Sequence, residues 1–250
     1  MGKVSRFAIA IGVLVKGIVL GITMTAVAEN PDDLRQFLIA KECFGCDLQG
    51  AVLSDMRLLG ASLESSDLQG AQLQRTVLSQ SNLQGANLAN ANLTQVVLTR
   101  ANVSAATLTN SHLIEARLAY ADFTQADLTG ADLSVANAWE ALFVESNLTA
   151  ANLSNTALGQ TSFASANLSD ANLQGADLDQ AYLARANLTN TNLQNASLRR
   201  ARLVRTTLDG ANLTDANLFD ALTSRATFEG TIFCRTTMPD GSQNNRDCPN

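Results

Sequence analysis

The sequence has almost none of the side chains on which most enzyme sites are built. One histidine, His112, stands among 250 residues, with one tryptophan and two tyrosines. A single histidine excludes histidine pairs and multi-histidine metal centres. A lone surface histidine with no cysteine near it has no partner for acid–base work. Aromatic residues make up 5% of a chain that is 46% hydrophobic, so core volume must come from aliphatic side chains. Positive charge is in deficit: 17 Lys and Arg against 23 Asp and Glu give a net charge of −6. That balance argues against a nucleic-acid binder, which normally carries a basic face. Cysteine is missing from Asp47 through Phe233.

An apolar N-terminus is present. Lys3 and Arg6 precede "FAIAIGVLV" and "GIVLGITMTAVA", and Ala26-Val27-Ala28 is a small-x-small cleavage motif. These are the parts of a secretory signal, with cleavage expected between Ala28 and Glu29. The competing reading is a retained membrane anchor, because Phe7 to Ala28 is long enough to span a bilayer. Lys16 inside that run would be costly there. Without Lys3, Arg6 and Lys16 the chain keeps 14 basic residues against 23 acidic, a net charge of −9. An exported chain meets an oxidising space where disulfides persist. Its four cysteines, Cys43, Cys46, Cys234 and Cys248, all lie after the expected cleavage point.

From Leu48 to Phe233 every fifth residue is large and apolar, 38 positions in one register. Thirty are Leu, five are Phe and one is Val103; only Ala138 and Thr223 break the rule. Two residues before each stands a small side chain, Ala in 25 cases and Ser, Thr or Cys in eleven, with Met56 and Val96 the exceptions. Asn or Asp often lies between. A period of five fits neither an α-helix, on which it spirals round all faces, nor a flat strand, on which it alternates. It fits a chain that turns a corner about every five residues. Asn, Asp, Ser and Gly near the corners have the matching turn chemistry.

The tandem A-(D/N)-L-x-x units from Cys46 to about Arg235 resemble the pentapeptide repeat family. The flanks "KECFGCDLQGAVL" and "TIFCRTTMPDGSQNNRDC" are similar to those of exported cyanobacterial members, including those of the thylakoid lumen. The resemblance implies an all-β fold, a right-handed quadrilateral β-helix with four pentapeptides per coil. Residues 20 apart then stack. The implied organisation is a signal peptide at 1–28, a capping helix and linker at 29–45, the solenoid at 46–235 and a disulfide-closed tail at 236–250. "ENPDDLRQFLIAKE" reads as the short capping helix: Asn30 caps it, Pro31 fits its first turn, and Leu34, Phe37 and Leu38 share one face.

Four cysteines allow three pairings. On the implied rod Cys43 and Cys46 sit at one end, Cys234 and Cys248 at the other, so the local pairs are expected and a four-cysteine zinc site is excluded. The stacking also sets Phe123, Phe143 and Phe163 in one interior column. Arg185, Arg205 and Arg225 form an outward column, read either as a solvated face or as a docking site for an acidic partner. "NAWEALFVESNL" is the most irregular stretch. Trp139, Leu142 and Val144 point outward there, with Tyr120 near, and two readings compete: a bulge that buries Trp139 over the Ala138 gap, or an exposed patch that binds a partner. In "DALTSRATF", Leu222 is expected to replace Thr223 in the core.

The leading functional expectation is a non-enzymatic structural or protein-interaction solenoid of an exported compartment, thylakoid lumen or periplasm. It needs no cofactor and no metal. Its partner is an unidentified protein rather than nucleic acid or, once the signal is cut, membrane; the oligomeric state is left open. Family resemblance also offers a DNA mimic that modulates type II topoisomerase, which the acidic charge suits and the signal peptide opposes. Cys43-x-x-Cys46 offers a third reading, thiol redox, which requires an exposed low-pKa thiol.

Overall fold

A buried backbone must pair its N–H and C=O groups, and the pentapeptide does so by one scheme repeated along the chain. The computed structural model describes residues 28–249, so the expected signal segment lies outside the described residues up to its final Ala28. Leu48 donates its N–H to the Asp67 carbonyl at 2.7 Å, one coil on, and Gly50 donates to Gln69 at 2.9 Å. Ala51 closes the corner onto the Leu48 carbonyl at 3.0 Å, and Asp67 reaches back to Cys46 at 2.8 Å. One N–H per unit is left, that of the residue after the Leu. The Asn or Asp before the Leu accepts it: Gln49 donates to Asp47 Oδ1 at 3.2 Å, Thr124 to Asp122 at 2.9 Å, Ser154 to Asn152 at 3.2 Å. This is why the repeat wants Asn or Asp at that place.

Each corner is a turn whose third residue has positive φ. Gly130 holds φ 66° there, and the arginines at equivalent places, Arg185, Arg205 and Arg225, hold 61°, 60° and 61°. A type II turn imposes this geometry and favours Gly or Asn.

Parallel bridges join residues 20 apart without a break, from Glu42 with Ser62 to Asn217 with Thr237. Every coil therefore carries four bridged columns, named here by their outward residues. Face A runs through Asn102, Asp122, Leu142, Ser162, Tyr182, Arg202 and Leu222. Face B runs through Asp127, Asn147 and Asn167; face C through Asn152, Asn172 and Asn192; face D through Arg117, Asn137, Ala157 and Asp177. Each pairing is one residue long before the chain turns. Among the described residues, longer strands are accordingly confined to a C-terminal pair, β1 (Thr236–Thr237) and β2 (Gln243–Asn244), which is antiparallel.

The interior is one continuous apolar cluster from Leu34 to Phe233. Phe123, Phe143 and Phe163 stack along its axis, with ring centroids 4.9 and 5.1 Å apart and planes within 10°. Where Ser or Thr replaces Ala at the small inward place, its hydroxyl is buried and bonded to a carbonyl, that of the neighbouring coil for Thr76 on Leu53 and Thr191 on Leu168, both at 2.8 Å, and that of its own corner for Ser111 and Ser146. The swap therefore leaves no orphaned polar group.

The helix α1 (Pro31–Ala40) starts at Asn30, whose side chain accepts from the N–H groups of Asp32 and Asp33. Its Leu34 and Phe37 are buried in the common core, and Asp33 accepts the Asp47 N–H of the first coil at 2.8 Å. At the other end Asp247 accepts the Phe233 N–H at 2.9 Å, and the Arg246 guanidinium covers the Phe233 ring at 5.0 Å.

Two expectations are corrected. Leu222 does not enter the core; it is 51% exposed, and Thr223 keeps the inward register. Bringing Leu222 inward needs a one-residue slip that would reverse the facing of its neighbours. Thr223 also lies in the last coil of face A, where no later coil covers it, so a large apolar residue has little to bury against. The second correction concerns Asn137 to Leu148: the bridge-and-turn pattern runs through it unbroken, with no bulge, and Trp139 stays 36% exposed.

Candidate interaction surface

Faces B and C satisfy themselves from Asp127 to Asn187 and from Asp132 to Asn192. On face B the Asn147 amide donates to Asp127, Asn167 to Asn147 and Asn187 to Asn167, at 3.3, 3.4 and 3.0 Å. On face C, Asn152, Asn172 and Asn192 repeat the ladder at 3.0, 3.2 and 3.1 Å. Face A begins the same way, Asn102 donating to Asn82 at 3.2 Å, and then stops. From Leu142 onward its outward residues are Leu142, Ser162, Tyr182, Arg202 and Leu222.

Twelve large apolar side chains are exposed among the described residues. Leu142, Tyr182 and Leu222 lie on face A; Leu59, Tyr120, Trp139 and Phe219 lie on the corner that leads into it from face D. That is seven of the twelve on one face and its leading edge. The tryptophan is well held. Tyr120 meets it edge-on with ring centroids 5.3 Å apart, and the Arg100 guanidinium lies 5.0 Å over Tyr120. Gly159 stands one coil above Trp139, and a Cβ there would come within 3.2 Å of Trp139 Cδ1. Glycine at that place makes room for the indole. Val144 is half-buried on the same face.

The arginines complete the surface. Arg185, Arg205 and Arg225 are exposed along the trailing edge of face A. Arg199 and Arg200 flank the leading edge, and the Arg202 guanidinium lies 4.9 Å over the Tyr182 ring. Asp220 approaches Arg200 at 3.7 Å. Gln160, Gln180, Tyr182, Arg200 and Arg202 line a shallow open depression. The sequence reading named Trp139, Leu142, Val144 and the arginine column but missed Tyr182, Leu222, Phe219 and Gly159. The rule that residues 20 apart stack would have placed Tyr182 and Arg202 above Leu142.

The remaining sites lie elsewhere. Cys43 bonds to Cys46 and Cys234 to Cys248, with Cα atoms 5.5 and 4.7 Å apart, as expected. Both N-terminal cysteines are buried. His112 is exposed on face C between Asn92 and Asp132. Hydrogen bonds from Arg75 and Arg235 hold the carboxyls of Asp55 and Asp215 below the usual carboxylate range, and both pairs lie on the corner between faces C and D. The acidic residues form no continuous stripe: on face B Asp47 stacks on Asp67, but Asn87 and Thr107 follow. Among the described residues no three metal-capable side chains cluster, and no helix is long and apolar enough to cross a membrane.

Comparison with known proteins identifies the architecture. The pattern described as "Pentapeptide repeats (8 copies)" matches residues 42–80, 78–113, 97–134 and 181–218, and "Pentapeptide repeat region" matches 116–193. Among solved structures the chain is similar to HetL of the cyanobacterium Nostoc sp., a pentapeptide repeat protein involved in heterocyst differentiation regulation. The identity is 29% over 86% of this chain and 99% of that one, with a TM-score of 0.65. A pentapeptide repeat protein of the Arabidopsis thaliana thylakoid lumen matches at 30% identity, covering 42% of this chain and 66% of that one, with a TM-score of 0.23. QnrB1, a plasmid-mediated fluoroquinolone resistance protein, matches at 17% identity over 76% and 86% of the two chains, with a TM-score of 0.35. Among curated proteins none matches. The unbroken five-residue register, the 20-residue bridges, the family matches and the likeness to HetL together make the chain a right-handed β-helix with little α-helix, and it belongs to the pentapeptide repeat family.

Proposed function

We propose that the protein is a non-enzymatic interaction solenoid of an exported compartment, and that face A is its binding surface. The observation that carries this is the concentration of exposed apolar and cationic side chains on face A and its leading edge, beside two faces whose middle coils are closed by amide ladders. Large exposed apolar side chains grouped with arginine mark protein-binding surfaces rather than ordinary solvated ones. In this reading the cross-section is four-sided, α1 caps the first coil, and the tail after Arg235 closes the last. Cys43–Cys46 and Cys234–Cys248 clasp the two ends, and the burial of the first pair favours a clasp over thiol exchange. Two cystines at the ends of the chain suit an oxidising compartment, thylakoid lumen or periplasm, as the N-terminal sequence suggests.

The test is site-specific photocrosslinking in the native compartment. A crosslinker at Leu142 or Tyr182 is expected to yield protein adducts, and the same group at Asn152 or Asn172 on face C is not. Trp139→Ala should lower the yield at Leu142. Equal labelling from faces A and C would refute the assignment.

A further inference from the structure

Face A is not uniform along the rod. Between Ala119 and Glu145 it carries three carboxylates, Asp122, Glu140 and Glu145, and no cation. Between Asp179 and Arg225 it carries six arginines and two carboxylates. The coil between them, Gly159 to Ser165, carries no charge and only small or neutral side chains at its outward places. A surface acidic at one end, basic at the other and neutral in the middle is complementary to itself after a half-turn.

We propose that face A binds a second copy of the chain, antiparallel, about a two-fold axis that crosses the face at the coil of Gln160, Ser162 and Ser165. The proposal rests on face A being the interaction surface and names its occupant. Such an axis exchanges coils at equal distances above and below Ser162 and keeps each edge of the face opposite the same edge of the partner. One coil away, Leu142 meets the partner's Tyr182 and Glu145 meets the partner's Arg185. Two coils away, Asp122 meets the partner's Arg202, and Tyr120 offers its ring to the partner's Arg200. Three coils away, Arg100 meets the partner's Asp220. Every charge pair occurs twice by symmetry, and none of these appositions sets like charges together. A residue on the axis faces its own copy, so a charge there would repel itself, and this coil has none.

The area is sufficient. Seven coils at about 4.8 Å each and five residues at about 3.3 Å give a patch roughly 34 by 17 Å, or about 600 Å² per partner. That lies at the low end of specific interfaces, which suits a micromolar, salt-sensitive dimer.

The test is charge exchange in the full chain, read by light scattering and sedimentation. The wild type is expected to dimerise with concentration. Glu145→Arg alone and Arg185→Glu alone each place two repulsive pairs in the interface and should raise Kd at least about tenfold. An equimolar mixture of the two variants restores both pairs in the heterodimer and should return Kd to within about threefold of wild type. Asp122→Arg with Arg202→Asp gives an independent second exchange, and circular dichroism verifies that each variant is folded. Association through residues 1–27 would be the same in all variants and cannot mimic the exchange. A wild type that stays monomeric at about 100 μM, or mixtures no tighter than the single variants, overturns the proposal. If the protein is monomeric yet Leu142 still crosslinks to another protein, self-association fails and face A stands. If Leu142 yields no adduct as well, both readings fail.

Discussion

The interior makes a sharp prediction at Phe143, Ala138 and their shared coil. Phe143 is fully buried and stacked between Phe123 and Phe163 at 4.9 and 5.1 Å. Truncating a buried Phe to Ala costs about 3–5 kcal/mol, and the two ring contacts place Phe143→Ala at the upper end of that range. Phe143→Leu restores the common repeat residue but removes ring volume, which costs about 1–2 kcal/mol. Ala138 is the one small residue among the large inward positions before Thr223, and it precedes Phe143 by one corner in the same coil. If the ring fills space that a Leu at 138 would otherwise take, then Ala138→Leu alone overpacks the coil by about 1–3 kcal/mol. Joined to Phe143→Leu it rebuilds an ordinary four-leucine coil, and most of both penalties should vanish. The assay is urea unfolding followed by circular dichroism, with constant m values as the check on cooperativity. Additivity of the two changes within about 0.5 kcal/mol would show that the sites do not share volume, and the compensation argument would be wrong.

Three further outcomes follow from particular contacts. Because Arg75 and Arg235 hold Asp55 and Asp215 below the usual carboxylate range, the folded state binds those protons less readily than the unfolded chain. Their stabilisation is present at neutral pH and is lost progressively as pH falls below the usual carboxylate range, so Asp55→Asn with Asp215→Asn should lower Tm slightly at pH 7 and by less as the pH is taken further into acid. The Cys234–Cys248 bond closes a loop with sequence separation 14; replacing both cysteines by Ser should cost about 3 kcal/mol, and hydrogen exchange should speed up first at Phe233 to Thr237. Unchanged exchange there would dismiss the clasp. Gly159→Ala pushes a Cβ against Trp139, and since Trp139 is the only tryptophan, its emission should shift to the red while the coil stays folded; an unmoved spectrum would mean the indole does not rest on Gly159.

The five-residue register made the architecture legible because one rule repeats 38 times. Burying Leu48, Leu53 and their successors leaves the chain few alternatives, and the positive-φ corners follow from it. The cystines were legible for a different reason: cysteines at the two ends of a rod can pair only locally. Surface detail was harder. Trp139 and Leu142 broke the pattern visibly in "NAWEALFVESNL", whereas Tyr182 in "QAYLARANL" sits in an otherwise regular unit and acquires meaning only from Leu142, two coils back, and Arg202, one coil on. Gly159 looks like a turn residue in sequence, but its φ is ordinary and its role is to make room for a neighbour 20 residues back. Leu222 was misread because a Thr at a large-residue place looks like an error until the end of the stack is in view.

Face A also gives up stability that face C keeps from Asn152 to Asn212. Asp122 accepts the Thr124 N–H at 2.9 Å and Asn102 accepts that of Ser104 at 3.1 Å. Leu142, Tyr182, Arg202 and Leu222 offer no such acceptor, which leaves the N–H groups of Val144, Ala184, Val204 and Ser224 to water. At about 0.5–1.5 kcal/mol for each bond, the four substitutions forgo about 2–6 kcal/mol. A rod selected for stability alone would carry Asn at all four. Leu142→Asn with Tyr182→Asn should therefore raise unfolding stability by about 1–3 kcal/mol while weakening association through face A. A variant that gains stability and still associates would show that these side chains are not the binding surface. One that loses stability would show that their packing on the rod outweighs the missing turn bond, and the inference from forgone hydrogen bonds to function would fall with it.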